Sequence, residues 1–163
     1  MDIEYREFPT KAELYGYIGA QLPRIMEETD DQVAVLSNIA ALLKMELPGT
    51  NWTGFYLMKN GALVLGPFQG KPAVVNIAIG AGVCGTAVAE NKAQIVEDVH
   101  KCNNHIACDL ASSSEIVVPI HVNGEIFGVI DIDSPLPSNF DGEDLEGLEV
   151  VARAISKFVE RAK

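Results

Sequence analysis

Apolar positions change their spacing twice along the chain. In the first third they recur at helical intervals: Leu14, Ile18, Leu22 and Ile25 form one stripe, and Val33, Leu36, Ile39, Ala40 and Leu43 form a second. Pro23 is expected to kink or end the first helix near Leu22, and Thr29 with Gln32 is expected to cap the second as a capping box. "LPGTN" at 47–51 then breaks the helical pattern. The middle switches to strand patterns, with "WTGFYLM" and "ALVLGPF" flanking a "KNG" hairpin signal and "VVNIAI" giving a third strand. "GAGVCGTAVAEN" predicts a short helix after a Gly-rich turn, and "QIVED" predicts a brief strand. No periodicity runs from Val99 to Ser114, which predicts a long loop, a class that is often functional. Two strands, "EIVVPIHV" and "EIFGVIDID", flank Asn123-Gly124, and a last helix carries Leu145, Leu148, Val151, Ile155 and Phe158 on one face. The order α, α, β, β, β, α, β, loop, β, β, α predicts an α+β sheet domain with its helices gathered on one side.

The register of the last hairpin decides where its acids go. A two-residue Asn-Gly loop carried straight down the ladder would mix charged and apolar residues on both faces. A three-residue loop, Val122-Asn123-Gly124 with Gly124 in a left-handed bulge, instead puts Ile116, Val118, Ile120, Ile126, Gly128, Ile130 and Ile132 on one apolar face. That register is the expected one. It places Glu115 opposite Asp131 with Asp133 further along, so three carboxylates cluster at one end of the other face. Such a cluster calls for a cationic partner or a shared proton. The plain alternative is that Asp131 and Asp133 end a strand at the surface. Pro119 argues for an edge strand or a bulge at its position.

Length and charge narrow the function. The 163 residues predict one domain, 1–163, large enough for a single core. A formal charge of -11 without a basic stripe argues against nucleic acid and against an anionic membrane surface. No apolar run is long enough to span a bilayer and no signal-like start is present, which predicts a cytoplasmic protein. Three cysteines, Cys84, Cys102 and Cys108, are too few and too odd for a disulfide framework. Cys108 can be a small buried hydrophobe, a metal ligand with Cys102 and His105, or a redox nucleophile. The C-x2-H-x2-C spacing fits no strong zinc pattern, so no metal is expected. Cys84 sits at a predicted helix start, where thiolate is favoured, and is a candidate redox partner. Trp52 reads as core or as a ligand wall, His105 as a hydrogen-bond or proton donor, and His121 as exposed.

Taken together, "NWTGFYL", "GVCGTA", "QIVEDVH", "HIACD", "SEIVVPI" and "GVIDIDS" closely resemble the free methionine-(R)-sulfoxide reductases, a single-domain branch of the GAF fold. The resemblance covers about residues 10 to 160. It implies a mainly antiparallel central sheet with terminal helices on one side and a pocket on the other. It also implies a thiol-dependent oxidoreductase without cofactor, acting on free methionine-(R)-sulfoxide and reset by thioredoxin or a similar dithiol. In that chemistry Cys108 attacks the sulfoxide sulfur and becomes a sulfenic acid, and a second thiol closes a disulfide. Glu115, Asp131 and Asp133 would hold the sulfoxide oxygen and the substrate ammonium, with Glu115 also catalytic, and Trp52 and Tyr56 would wall the methyl group. Backbone N–H groups of the long loop would receive the substrate carboxylate. A homodimer through the terminal helices is a further implication. The family commonly carries another cysteine ten residues before that of "GVCG"; here Val74 stands there, so resolution falls to Cys84 or alternatively to Cys102. Two rivals remain: a non-catalytic GAF module that binds an amino-acid-like ligand or senses oxidants through Cys84 and Cys108, and a zinc-stabilised interaction domain using Cys84, Cys102, His105 and Cys108.

Overall fold

The computed structural model describes residues 1–101 and 112–162. Its elements follow the expected order: α1 (Lys11–Glu27), α2 (Gln32–Glu46), β1 (Trp52–Lys59), β2 (Ala62–Gln69), β3 (Asn76–Ile77), α3 (Gly82–Glu90), β4 (Gln94–Val96), β5 (Ser114–Val122), β6 (Glu125–Ser134) and α4 (Gly142–Arg161), with a 3₁₀ turn at Val99–Lys101. The strands form one six-stranded sheet in the order β3-β2-β1-β6-β5-β4, and every pairing is antiparallel. No helix of the described residues is long and apolar enough to cross a membrane.

The two sheet faces are covered differently. One carries Phe55, Leu57, Ile116, Val118, Ile120, Ile130 and Ile132 and packs against α1, α2 and α4, forming the larger core. The other carries Trp52, Tyr56, Val117 and Val129 and packs against Val83, Cys84 and Ala87. The helices are therefore not all on one side: α3 covers the opposite face, alone among the four. Its stretch is short and nearly all small or apolar, so it lies flat on the sheet instead of presenting an amphipathic stripe.

Local chemistry explains most boundaries. Thr10 caps α1, its side chain accepting from the Glu13 N–H at 3.2 Å. Pro23, expected to kink or end this helix, does not end it; α1 continues to Glu27. Ile25 and Met26 are buried beyond the proline, and Arg161 donates to the Met26 carbonyl at 3.0 Å, so tertiary contacts hold the last turn. The cap of α2 is Asp31, bonded to the Ala34 N–H at 2.9 Å; the expected Thr29–Gln32 box does not form. Thr29 instead accepts from the Asp31 N–H and orients the cap. At the head of α4, Asp141 and Asp144 make a reciprocal capping box. Asp144 also accepts from the Tyr15 hydroxyl and the Lys11 ammonium, both at 2.7 Å, which ties α4 to α1.

Both hairpins turn on Asn-Gly pairs with positive φ at both residues, Asn60 and Gly61 at 53° and 81°, Asn123 and Gly124 at 54° and 80°. That is the two-residue turn whose twist matches the strands. The expected three-residue loop is therefore wrong: Val122 pairs with Glu125. The register shift comes later, where His121 pairs with Ile126 but Ile120 pairs with Gly128, leaving Phe127 as the extra residue of a bulge. From Gly128 onward the apolar face is as expected, because the bulge restores the parity that the short loop would have broken; Ile126, expected on that face, instead pairs with His121, and Phe127 packs against the larger core. Pairing beyond it is displaced by two residues, so Glu115 lies opposite Asp133, and Val117 opposite Asp131. Pro119 lies on β5 past the last residue paired with β4, so it occupies an edge-like position.

Candidate active site

Three rows of residues cross the α3 face of the sheet. The first runs Val96, Glu115, Asp133, Trp52; the second runs Gln94, Val117, Asp131, Gly54, Phe68; the third runs Pro119, Val129, Tyr56, Leu65. Period-two alternation turns all of these toward α3. Two acids thus stand next to each other in the first row, and the third stands one row along. All are buried, with Glu115, Asp131 and Asp133 at 4%, 1% and 2% exposure. The reading of Asp131 and Asp133 as a solvent-exposed strand end is excluded.

Cys84 closes the cluster from above. It sits in the first turn of α3, 4% exposed, and its Sγ and one oxygen each of Glu115 and Asp131 all lie within 4.8 Å of one another. Burial pushes the thiol well above its ordinary range; the charge of Asp131, that of Glu115, a hydrogen bond to Asp131 and the charge of Asp133 add to it. The expectation that a helix N-terminus would favour thiolate at Cys84 is overturned. Desolvation and three neighbouring acids outweigh about half a unit of positive charge at the helix end. Cys84 is a protonated donor to Asp131 at neutral pH. One thiol and two carboxylates could also ligate a divalent ion.

The aromatic side is apolar and tightly fixed. Trp52 and Tyr56 are fully buried, with ring centroids 6.0 Å apart, and Trp52 stacks on Phe68 at 5.1 Å with 15° between planes. The indole N–H donates to the Lys71 carbonyl at 3.1 Å and the Tyr56 hydroxyl to that of Val74 at 2.7 Å. Gly54, between Asp131 and Phe68 in the second row, gives the indole its place. A Cβ there would fall 2.9 Å from Trp52 Cη2 and 2.8 Å from the Phe68 Cα. Sequence reading missed both Gly54 and Phe68. A glycine inside a strand pattern, which often marks close approach, was the available signal for the first.

The loop leaves and returns to this cluster through fixed ends. Val99 donates to the Ser113 carbonyl at 2.7 Å, and Ser113 to that of Ser134 at 2.6 Å. Ser114 donates to the Leu136 carbonyl at 2.6 Å and accepts from the Asn139 N–H at 3.2 Å. Cys102, His105 and Cys108 lie outside the described residues, as does the central part of the loop expected over 99–114. His121 is exposed, bonded to Asn91 at 2.6 Å on the rim of a groove of about 730 Å³ between α4 and β5, and none of the site residues lines that groove.

A curled antiparallel sheet with helices on both faces and a buried acid–thiol–aromatic cluster matches a known architecture: the family model described as GAF domain covers residues 31–158. The free methionine-R-sulfoxide reductase of Escherichia coli (strain K12) is 48% identical over 147 residues, 90% of this chain and 89% of that protein. The structure of the free methionine-R-sulfoxide reductase from Neisseria meningitidis in complex with its substrate superposes with a TM-score of 0.93 at 39% identity, covering 99% of this chain and 96% of that one. The fRMsr of Staphylococcus aureus, also solved with substrate, gives 0.84 at 49% identity over 89% and 95%. The chain belongs to the GAF-domain free methionine-(R)-sulfoxide reductase family.

Proposed function

We propose that this protein reduces free methionine-(R)-sulfoxide to methionine in a thiol-reducing, cytoplasmic setting. The observation that carries the reading is the convergence on one sheet face of three buried carboxylates, a buried thiol and a fixed aromatic wall. Glu115 and Asp133 face each other directly, and like charges so close resist full ionisation, so the cluster retains a proton near neutral pH. A retained proton is what the S–O bond needs in order to break.

The steps follow. Cys108, as thiolate, attacks the sulfoxide sulfur while the acid cluster protonates the oxygen; the oxygen then passes as hydroxyl to the Cys108 sulfur as the bond between the two sulfurs breaks, so methionine leaves and Cys108 is left as a sulfenic acid. Asp131 and Asp133 receive the substrate ammonium, the faces of Trp52 and Tyr56 receive the methyl group, and backbone N–H groups of the loop receive the carboxylate. Cys84 then loses its proton as it attacks the sulfenic sulfur, forming a disulfide and releasing water. A dithiol such as thioredoxin restores both thiols, and Cys102 is the alternative resolving thiol. The proton that Cys84 gives up has a carboxylate already bonded to receive it. An enclosed site of this kind takes a free amino acid and excludes methionine within a chain.

The test is consumption of racemic free methionine sulfoxide with a dithiol, resolved by epimer. Selective loss of the R form is expected, abolished by Cys108→Ser. Binding without loss of either epimer would move the reading to a ligand-binding module.

A further inference from the structure

We propose that Phe68 to Val74, the end of β2 and the connection into β3, is a positioning device that sets where the Trp52 and Tyr56 rings stand and so decides which sulfur substituent the site accepts. The inference rests on reading the wall these two rings form as the sulfoxide methyl site. Each wall is anchored by its polar handle to a main-chain carbonyl of this one connection, Trp52 to Lys71 and Tyr56 to Val74. The rings therefore cannot shift independently of it. Two further surfaces of the indole abut the same segment. Its face stacks on Phe68. Its pyrrole edge abuts Gly70, where a Cβ would fall 2.5 Å from Trp52 Cδ1 and 3.0 Å from both Cγ and the Asn51 carbonyl.

Gly70 has φ of +143°, a conformation L side chains rarely adopt, so both backbone and space require glycine there. Carbonyl anchors are insensitive to the side chains that carry them. The information in this segment therefore resides in two positions, Gly70 and Phe68. A Cβ at 70 displaces the indole from its place in the wall. Replacing the Phe68 ring by leucine removes the stack and lets the indole retreat.

Trp52 is the chain's single tryptophan, so its fluorescence reads the wall directly. The experiment compares Gly70→Ala, Phe68→Leu and the parent for Trp52 emission, thermal stability and steady-state reduction of free methionine-(R)-sulfoxide and its one-carbon-longer S-ethyl analogue. Gly16→Ala, in open space on α1, serves as the control and should match the parent. Gly70→Ala should shift the emission and raise KM for the S-methyl substrate roughly five- to tenfold, the size of a lost aromatic contact, with kcat changed far less. Phe68→Leu should raise the S-ethyl to S-methyl ratio of kcat/KM by about tenfold, the discrimination a single methylene commands. Unshifted emission with an unchanged substrate ratio in folded variants overturns the proposal. So does loss of kcat and KM that merely tracks melting temperature. If Gly70→Ala does not fold, Phe68→Leu decides alone. Should the parent reduce neither sulfoxide, the proposed activity fails, while the emission shifts still decide whether this segment positions Trp52.

Discussion

Replacing Glu115 by glutamine keeps the shape of the side chain and removes one charge from the buried cluster. Glu115 and Asp133 are directly paired across β5 and β6, which puts their Cβ atoms about 5 Å apart. Two unit charges about 5 Å apart at an effective dielectric of about 20 repel by about 3 kcal/mol. Repulsion of that sign raises the last ionisation of the pair above the ordinary carboxylate range. The sign follows directly: the protonated acid is the active form, so kcat/KM should fall as pH rises through the displaced ionisation. With Glu115→Gln the donor is gone and the repulsion relieved, so kcat/KM should drop by roughly 10²-fold or more and lose its alkaline fall. The charge of Glu115 also helps hold up the Cys84 thiol, so Cys84 should ionise at lower pH in the variant. The assays are kcat/KM for free methionine-(R)-sulfoxide from pH 5 to 9, and thiolate absorbance of Cys84 with Cys102 and Cys108 changed to serine. An unchanged pH–rate profile together with an unchanged Cys84 titration would refute the proton-sharing account.

If Cys84 resolves the sulfenic acid, its raised ionisation leaves little thiolate at pH 7, and single-turnover disulfide formation should accelerate with pH through the ordinary thiol range. Rapid-quench trapping of the disulfide measures this; a rate that stays flat from pH 7 to 9 would argue against Cys84 as the resolving thiol. Tyr15→Phe removes a buried hydrogen bond to the charged Asp144, so about 1.5–3 kcal/mol and several degrees of melting temperature should be lost. The tyrosine ionisation is raised by burial first and by Asp144 next, so its contribution is intact below the free tyrosine range and lost as pH rises beyond it; an alkaline melting series on both proteins shows the difference. Gly147→Ala pits a helix-propensity gain of about 1 kcal/mol against collision with the Tyr15 ring. Overpacking, about 1–3 kcal/mol, should win, and denaturant titration should find the variant less stable.

Element order and sheet face were legible because they depend on neighbours in sequence. Asn60-Gly61 and Asn123-Gly124 dictate their turns, and period-two alternation dictates which side chains face α3. What sequence reading missed depended on contacts distant in the chain. Pro23 stays helical because Arg161 and the core hold the turn beyond it. The bulge at Phe127 serves the same apolar pattern that the longer loop was invoked to serve, and pattern alone cannot distinguish two devices with the same parity. The distinction matters for chemistry, since it decides that Glu115 faces Asp133, with Asp131 left beside Cys84. The three acids were recognised from their spacing, yet the thiol above them was assigned the wrong tendency because only its helix was visible in sequence. Once the sheet brings Asp131 within reach, burial reverses the helix-end effect, and the cysteine becomes a proton donor to that carboxylate. The repulsion proposed to keep a proton on the acids acts on Cys84 as well, so the proposed reductive and resolving steps should respond in opposite directions to pH.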